Sequence, residues 1–328
     1  VDLSILAPHP LALVAAFALD VSLGDPVYRW HPIRLMGSSL SLLERGLRAI
    51  GLDGYLGGVL LFLLLACCWL LAWSALILAA ATIAPWLGWT LHTLLAYSLL
   101  ALRDLLVHAK RVQQAGKCDD LAGTRQAISM LVGRDTSRMD IPACRRAAIE
   151  SLSENLTDGF VSPVFWYVLG GIPGLVLFKV VSTMDSMVGY KTPRYLRFGW
   201  CGARSDDLMN LLPARLTWLL LGGLAFLLPG YSGTKALRVG WLQHAIVPGP
   251  NAGWSEATIA GAIERKLIGP IWANGKLVTE IWLGDLGDEP AGAVDDLRRA
   301  MHLTAACGVT VIALAAMGMN ALPLPWLH

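Results

Sequence analysis

Residues 54–102 read GYLGGVLLFLLLACCWLLAWSALILAAATIAPWLGWTLHTLLAYSLLAL, 49 positions without an Asp, Glu, Lys or Arg. About 20 apolar residues cross a bilayer, so this stretch is long enough for two passes. Pro85-Trp86-Leu87-Gly88-Trp89 divides it and is expected as a tight turn with interfacial aromatics, giving spans over residues 55–84 and 87–106. A chain of 328 residues with 55% hydrophobic content, 15% charge and a mean hydropathy of +0.56 fits the same reading.

Outward from this stretch the pattern continues. An apolar segment over residues 5–23 ends at the turn signal Gly24-Asp25-Pro26. It has neither a basic leader nor a small-residue cleavage site, and is expected as a first membrane helix. Arg29, His31, Arg34, Glu44, Arg45 and Arg48 follow on a segment expected to form an interfacial helix. Residues 303–327 give a last crossing. Two more apolar segments, 159–181 and 212–229, are interrupted by Gly170-Gly171-Ile172-Pro173-Gly174 and by Gly222-Gly223. Broken helices are tolerated at membrane depth only where protein or a watery cavity covers them.

The expected fold is therefore all-α: one multi-pass integral membrane domain over residues 1–328, with re-entrant or broken helices. Four polar regions, 24–53, 103–158, 179–215 and 230–302, contain 4, 9, 6 and 7 of the 26 Lys and Arg residues. If the two interrupted segments re-enter without crossing, all four share the cytoplasmic face, as the positive-inside rule prefers. That places a helical active-site region there. Within it, residues 113–130 read as a helix that Gly133-Arg134-Asp135-Thr136-Ser137 breaks.

A net charge of +2 without a basic block gives no sign of nucleic acid as a partner, and none is expected. Six cysteines without a CxxC pair supply neither zinc ligands nor a disulfide framework. The histidines show no metal-ligand spacing and read as structural or interfacial.

Chemistry concentrates in two places. The stretch Lys179–Arg215 carries Asp185, Tyr190, Lys191, Arg204, Asp206, Asp207 and Arg215 between apolar runs. Charge so close to hydrocarbon is by default a functional-site signal. Asp185 is the least ordinary, because Val180, Val181, Met184, Met187 and Val188 surround it in sequence. Earlier, Glu150, Glu154 and Asp158 fall at i, i+4 and i+8, one helix face, with Arg146 a turn before. Aligned carboxylates need water, Arg or a divalent cation between them, and Mg²⁺ is held by a few such oxygens plus phosphate. Asp206 and Asp207 are adjacent, so their side chains diverge on a helix and at most one contacts a metal. Arg134, Lys191, Arg204 and Arg215 suit phosphate or carboxylate contacts. Asn251 and Glu256 lie where Pro250–Glu256 turns into a helix, whose N-terminus attracts anions or is capped by Ser or Asn. These features describe a membrane protein handling an anionic, phosphorylated substrate with a divalent cation. They leave ligase, transferase and transporter open.

Leu19-Asp20, Gly24-Asp25-Pro26, His31-Pro32, Val132–Ser137, Glu154-Asn155 with Asp158-Gly159, Asp185–Lys191 (DSMVGYK), Asp206-Asp207, Leu212-Pro213-Ala214-Arg215 and Trp254-Ser255-Glu256 together resemble the CobD/CbiB family. The similarity runs over residues 16–285. This resemblance implies adenosylcobinamide-phosphate synthase activity: ATP- and Mg²⁺-dependent amide formation between adenosylcobyric acid and (R)-1-aminopropan-2-ol O-2-phosphate or ethanolamine phosphate. It implies a multi-pass protein of the inner cell membrane with its active-site face cytoplasmic, in reach of later membrane enzymes of nucleotide-loop assembly. The residue roles expected on that basis are catalytic for Asp185, Lys191 and Arg204. Substrate or ATP binding falls to Arg134, Tyr190, Arg215, Asn251 and Glu256, and metal binding to Glu154, Asp158, Asp206 and Asp207. The rival expectations are a transporter or corrinoid-binding protein without ligase activity, and a scaffold of the same fold.

Overall fold

The computed structural model describes residues 2–25, 28–273 and 276–321. Pro26 of the first turn signal and the end of the 303–327 segment lie outside them. The helices are α1 (Pro10–Leu23), α2 (Pro32–Ala49), α3 (Tyr55–Ile83), α4 (Pro85–Ser98), α5 (Leu102–Lys117), α6 (Leu121–Ser129) and α7 (Ile141–Leu156). A π turn (Thr157–Val161) precedes α8 (Ser162–Val188), α9 (Trp200–Met209), α10 (Leu211–Leu227), α11 (Gly233–Gln243) and α12 (Ala252–Ile263). Two strands, β1 (Leu267–Ala273) and β2 (Lys276–Leu283), come before α13 (Val294–Ala321).

The protein is a helical, multi-pass membrane protein. Leu3–Leu23, Tyr55–Ile83, Pro85–Lys117, Ile141–Val188 and Val294–Ala321 are each long and apolar enough to cross a bilayer, and α9 with α10 adds a sixth candidate if the pair is one span. The chain divides into two compact units, neither of them contiguous. One gathers the residues up to Ala101, Ser162–Asn210 and the segment from Val311; the other gathers Leu102–Val161 and Leu211–Thr310.

Local sequence explains most boundaries. Proline suits a first helical position, where its missing N–H has no partner to lose. Pro85 takes that position in α4, and a single extended residue, Ala84 (φ −158°, ψ 133°), separates α3 from α4. Residues 85–89 are thus helix, not the tight turn expected of them. The helix expected over 113–130 is likewise divided. Asp119 adopts φ 52°, and Asp120 caps α6 by accepting a hydrogen bond from the Gly123 N–H at 2.8 Å.

The GGIPG interruption does break α8. Gly171 sits at φ 59°, ψ −144°, and a Cβ there would stand 2.0 Å from the Leu6 carbonyl oxygen. Only glycine meets both demands. In the same unit His92 is fully buried and satisfied: Nδ1 lies 2.7 Å from the Ile5 carbonyl and Nε2 2.7 Å from the Tyr167 hydroxyl. That histidine is structural, as expected.

The antiparallel hairpin β1–β2, with a bulge between Ile271 and Trp272, was not foreseen. Lys276-Leu-Val-Thr-Glu-Ile-Trp-Leu is rich in β-branched and aromatic residues, the signal that a helical reading passed over. Arg146 ties the hairpin to α7, donating from Nε to the Ile268 carbonyl at 2.8 Å. All six cysteines are free thiols.

Candidate functional site

In the unit that contains α7 and α12, helical spacing brings Glu150 and Glu154 to one face. The loop before α7 lays Arg134 against Glu150 in an ion pair. Glu150 also accepts the Ile268 N–H at 3.0 Å, so both its oxygens are engaged and it holds β1 in place. Facing them is Glu256 on α12, a helix whose residues Gly253–Ile263 are all buried. Gly133, Arg134, Glu150, Ser151, Glu154 and Glu256 border one cavity of about 330 Å³.

Glu256 is 5% exposed and makes no hydrogen bond or ion pair among the described residues. A buried ionised carboxylate without a partner is costly. Burial and the charges of Glu154 and Glu150 raise its pKa well above the ordinary carboxylate range, with Arg134 opposing. The cavity wall therefore favours whatever positive charge can be placed beside Glu256 and Glu154.

Asn251 precedes α12 but does not cap it: its side chain makes no cap hydrogen bond, and Oδ1 lies 3.5 Å from Arg215 Nη1. Arg215 in turn donates to the Leu211 carbonyl at 2.7 Å and lies 4.9 Å over the Trp254 ring, which stacks on His244 at 3.8 Å. Trp254 and Glu256 are two residues apart, about 200° around a helix. The Arg215–Asn251–Trp254 group is consequently a separate cluster from the Glu256 cavity. Asp158 stands in the π turn, past the end of α7, so the expected i+8 alignment with Glu150 stops short of it.

The other unit contains α8 and α9. Asp206 accepts a hydrogen bond from Asn210 Nδ2 at 2.9 Å, and Asn210 Oδ1 accepts one from the Ser162 hydroxyl. The charges of Asp185, Asp207 and Lys179 all act on Asp206. Asp207 points elsewhere, to Arg204 Nη1 at 3.2 Å, so the adjacent carboxylates diverge as their spacing requires. Asp185 has no hydrogen bond or ion pair for its carboxylate among the described residues, and lies against Gly189: a Cβ there would come within 2.1 Å of its Oδ1. The glycine of DSMVGYK thus leaves room for the aspartate four residues earlier. Tyr190 and Lys191 are exposed on the turn that follows, and Lys191 has no ion pair among the described residues.

Of the expected site residues, Glu154, Arg134 and Glu256 come together in one unit, and Asp185, Asp206 and Asp207 in the other. Among the described residues no three or more His, Cys, Asp or Glu side chains converge as a metal cluster. A hard divalent ion needs no such cluster, because one or two carboxylates plus phosphates and water suffice for Mg²⁺. Glu154 and the unpartnered Glu256 fit that donor set. Two residues with no assigned role also emerge: Glu150, which positions Arg134, and Lys179, buried at 9% exposure and bordering a second cavity.

The family described as CobD/Cbib protein is matched over residues 13–304. The chain is 42% identical over 310 residues to the cobalamin biosynthesis protein CobD of Yersinia enterocolitica, covering 93% of this chain and 96% of that one. It is 41% identical to the protein of the same name from Klebsiella pneumoniae (89% and 92% covered). Against the cobalamin biosynthesis protein CbiB of Salmonella arizonae the identity is 40%, with 93% and 95% covered. No solved structure matches.

Proposed function

Because the chain belongs to the CobD/CbiB family of cobalamin biosynthesis, we propose that it is an adenosylcobinamide-phosphate synthase. In this reading it joins a propionate carboxylate of adenosylcobyric acid to (R)-1-aminopropan-2-ol O-2-phosphate or ethanolamine phosphate, using ATP, at the cytoplasmic face of the cell membrane. The observation that carries it is Glu256: a buried, unpartnered carboxylate turned into a cavity beside Glu154 and Arg134.

Amide formation from a free carboxylate needs activation. The economical route transfers the γ-phosphoryl of ATP to the carboxylate, releasing ADP; the amine then displaces phosphate and loses a proton. Glu154 and Glu256 would hold Mg²⁺, whose chemistry when bound would be positive charge beside phosphate oxygens. Arg134, kept in place by Glu150, presents a fixed guanidinium to phosphate oxygens at the same wall. In the other unit, taken by itself, Asp185 suits an ammonium group or its proton, and the exposed Lys191 and Arg204 suit anionic groups. Arg215 and Asn251, anchored on Trp254, hold a further anionic group.

The test is incubation of detergent-purified protein with adenosylcobyric acid, Mg²⁺, ATP and each aminoalcohol phosphate, with mass spectrometry of the product. ATP-dependent conjugate is expected, and the better amine identifies the natural one. Absence of conjugate from folded, corrinoid-binding protein would overturn the reading. The break at Gly171 in α8 also suits a transporter, the reading that such a failure would favour.

A further inference from the structure

A cavity of about 420 Å³ in the unit containing α2 and α8 is lined by none of the residues given a role above. Its wall is polar in an unexpected place. Lys179, Ser182, Thr183 and Ser186 stand at i, i+3, i+4 and i+7 of α8, one stripe of an otherwise apolar helix. Helical hydroxyls in this protein usually satisfy themselves on a carbonyl one turn back. Ser38 does so on Arg34, Ser41 on Gly37, Thr183 on Lys179 and Thr217 on Pro213. Ser182 and Ser186 do not, and neither makes a hydrogen bond among the described residues.

The facing wall is the start of α2. His31 occupies its N-cap without a side-chain cap, and Ile33 and Arg34 of the first turn border the cavity. Uncapped first-turn N–H groups form an anion-binding end. His31 is 5% exposed; its Nε2 lies 2.8 Å from Asp25 Oδ1 but off the line of a hydrogen bond, leaving a buried ring nitrogen unsatisfied at the cavity. Arg34 is exposed at the rim, with no ion pair for its guanidinium among the described residues. Asp25 is the carboxylate on this wall, half-exposed at its edge. Two cations, free hydroxyls and an open helix N-terminus thus converge on a space far too small for a corrin ring and ample for a small phosphorylated molecule.

We propose that this cavity is a binding subsite for a phosphate monoester, with Lys179 and Arg34 as its cations and Ser182 and Ser186 as its hydroxyl donors. Under the synthase reading, on which this assignment of source rests, the ligand is the aminoalcohol phosphate. The phosphate end of a nucleotide has the same chemistry.

Binding is measured on the full chain in detergent by equilibrium dialysis, with ethanolamine phosphate, ATP and unphosphorylated ethanolamine as probes. The variants are Lys179→Met, Ser182→Ala and Arg34→Gln. Lys179→Met should weaken ethanolamine phosphate at least about tenfold, the low end for a hydrogen bond to a charged group. Arg34→Gln, at an exposed side chain, should weaken it severalfold. Ethanolamine should be unaffected. Selective loss of ATP instead would support the subsite and give its source as the nucleotide. Wild-type affinity for both phosphorylated probes in all three variants would overturn the proposal, as would equal loss of ethanolamine. A wild-type protein that binds ethanolamine phosphate through Lys179 yet forms no amide would leave the subsite standing and remove the synthase reading.

Discussion

Glu256 shows what a single side chain reveals when its surroundings are accounted for. Its folded pKa is raised, so over the interval above the unfolded value of 4.5 the folded chain holds a proton that the unfolded chain has released. Stability from this group therefore falls as pH rises from 4.5 through the folded value, by up to ~1.4 kcal/mol per pH unit. Glu256→Gln removes that dependence. Thermal melts in detergent and chelator from pH 5 to pH 9 should show the wild type losing ground against Glu256→Gln as pH rises; parallel profiles would refute it. The sequence marked Glu256 as part of a turn entering a helix and of a family motif but not as buried, because burial is a property of its neighbours in space. Asp185 was legible for the opposite reason: a carboxylate among Val and Met announces itself. Lys179 and its hydroxyls went unread because their stripe is visible only when α8 is known to continue past Phe178 as one face toward a cavity.

At the scale of elements, periodicity and proline gave the long helices, while single-residue backbone states decided where they stop. Ala84 and Asp119 each end a helix that composition alone would continue or misplace. The hairpin was missed because its strands lie among helical segments, and its attachment through Arg146 is long-range. Gly171 carries the sharpest expectation. Gly171→Ala imposes a disfavoured φ and drives a methyl into the Leu6 carbonyl, costing about 2–4 kcal/mol in all. Unfolding in mixed micelles should show that loss, and substitution at the neighbouring Gly170, whose Cβ meets nothing within 4 Å, should cost much less. Equal effects at the two positions would contradict the account.

For the whole molecule, the charge-free segments made a multi-pass protein evident, and the structure supplies the helices to match. Sidedness is a matter of charge asymmetry, and the synthase reading places the polar regions in the cytoplasm. Cysteines introduced at Lys191 and at Leu286, which is 99% exposed, should react with a membrane-impermeant maleimide in inverted vesicles and not in right-side-out ones. Labelling of position 191 from outside would reverse that orientation. What no linear reading supplies is the division into two units, since each is assembled from segments that alternate along the chain.

That alternation has a bearing on biosynthesis. One unit recruits residues as late as Thr310 and the other begins its last segment at Val311. A ribosome that stalls at mid-chain has therefore finished neither, and a product terminated before Thr310 leaves both incomplete. Neither unit is one continuous stretch of sequence, so no single cut in the chain separates them.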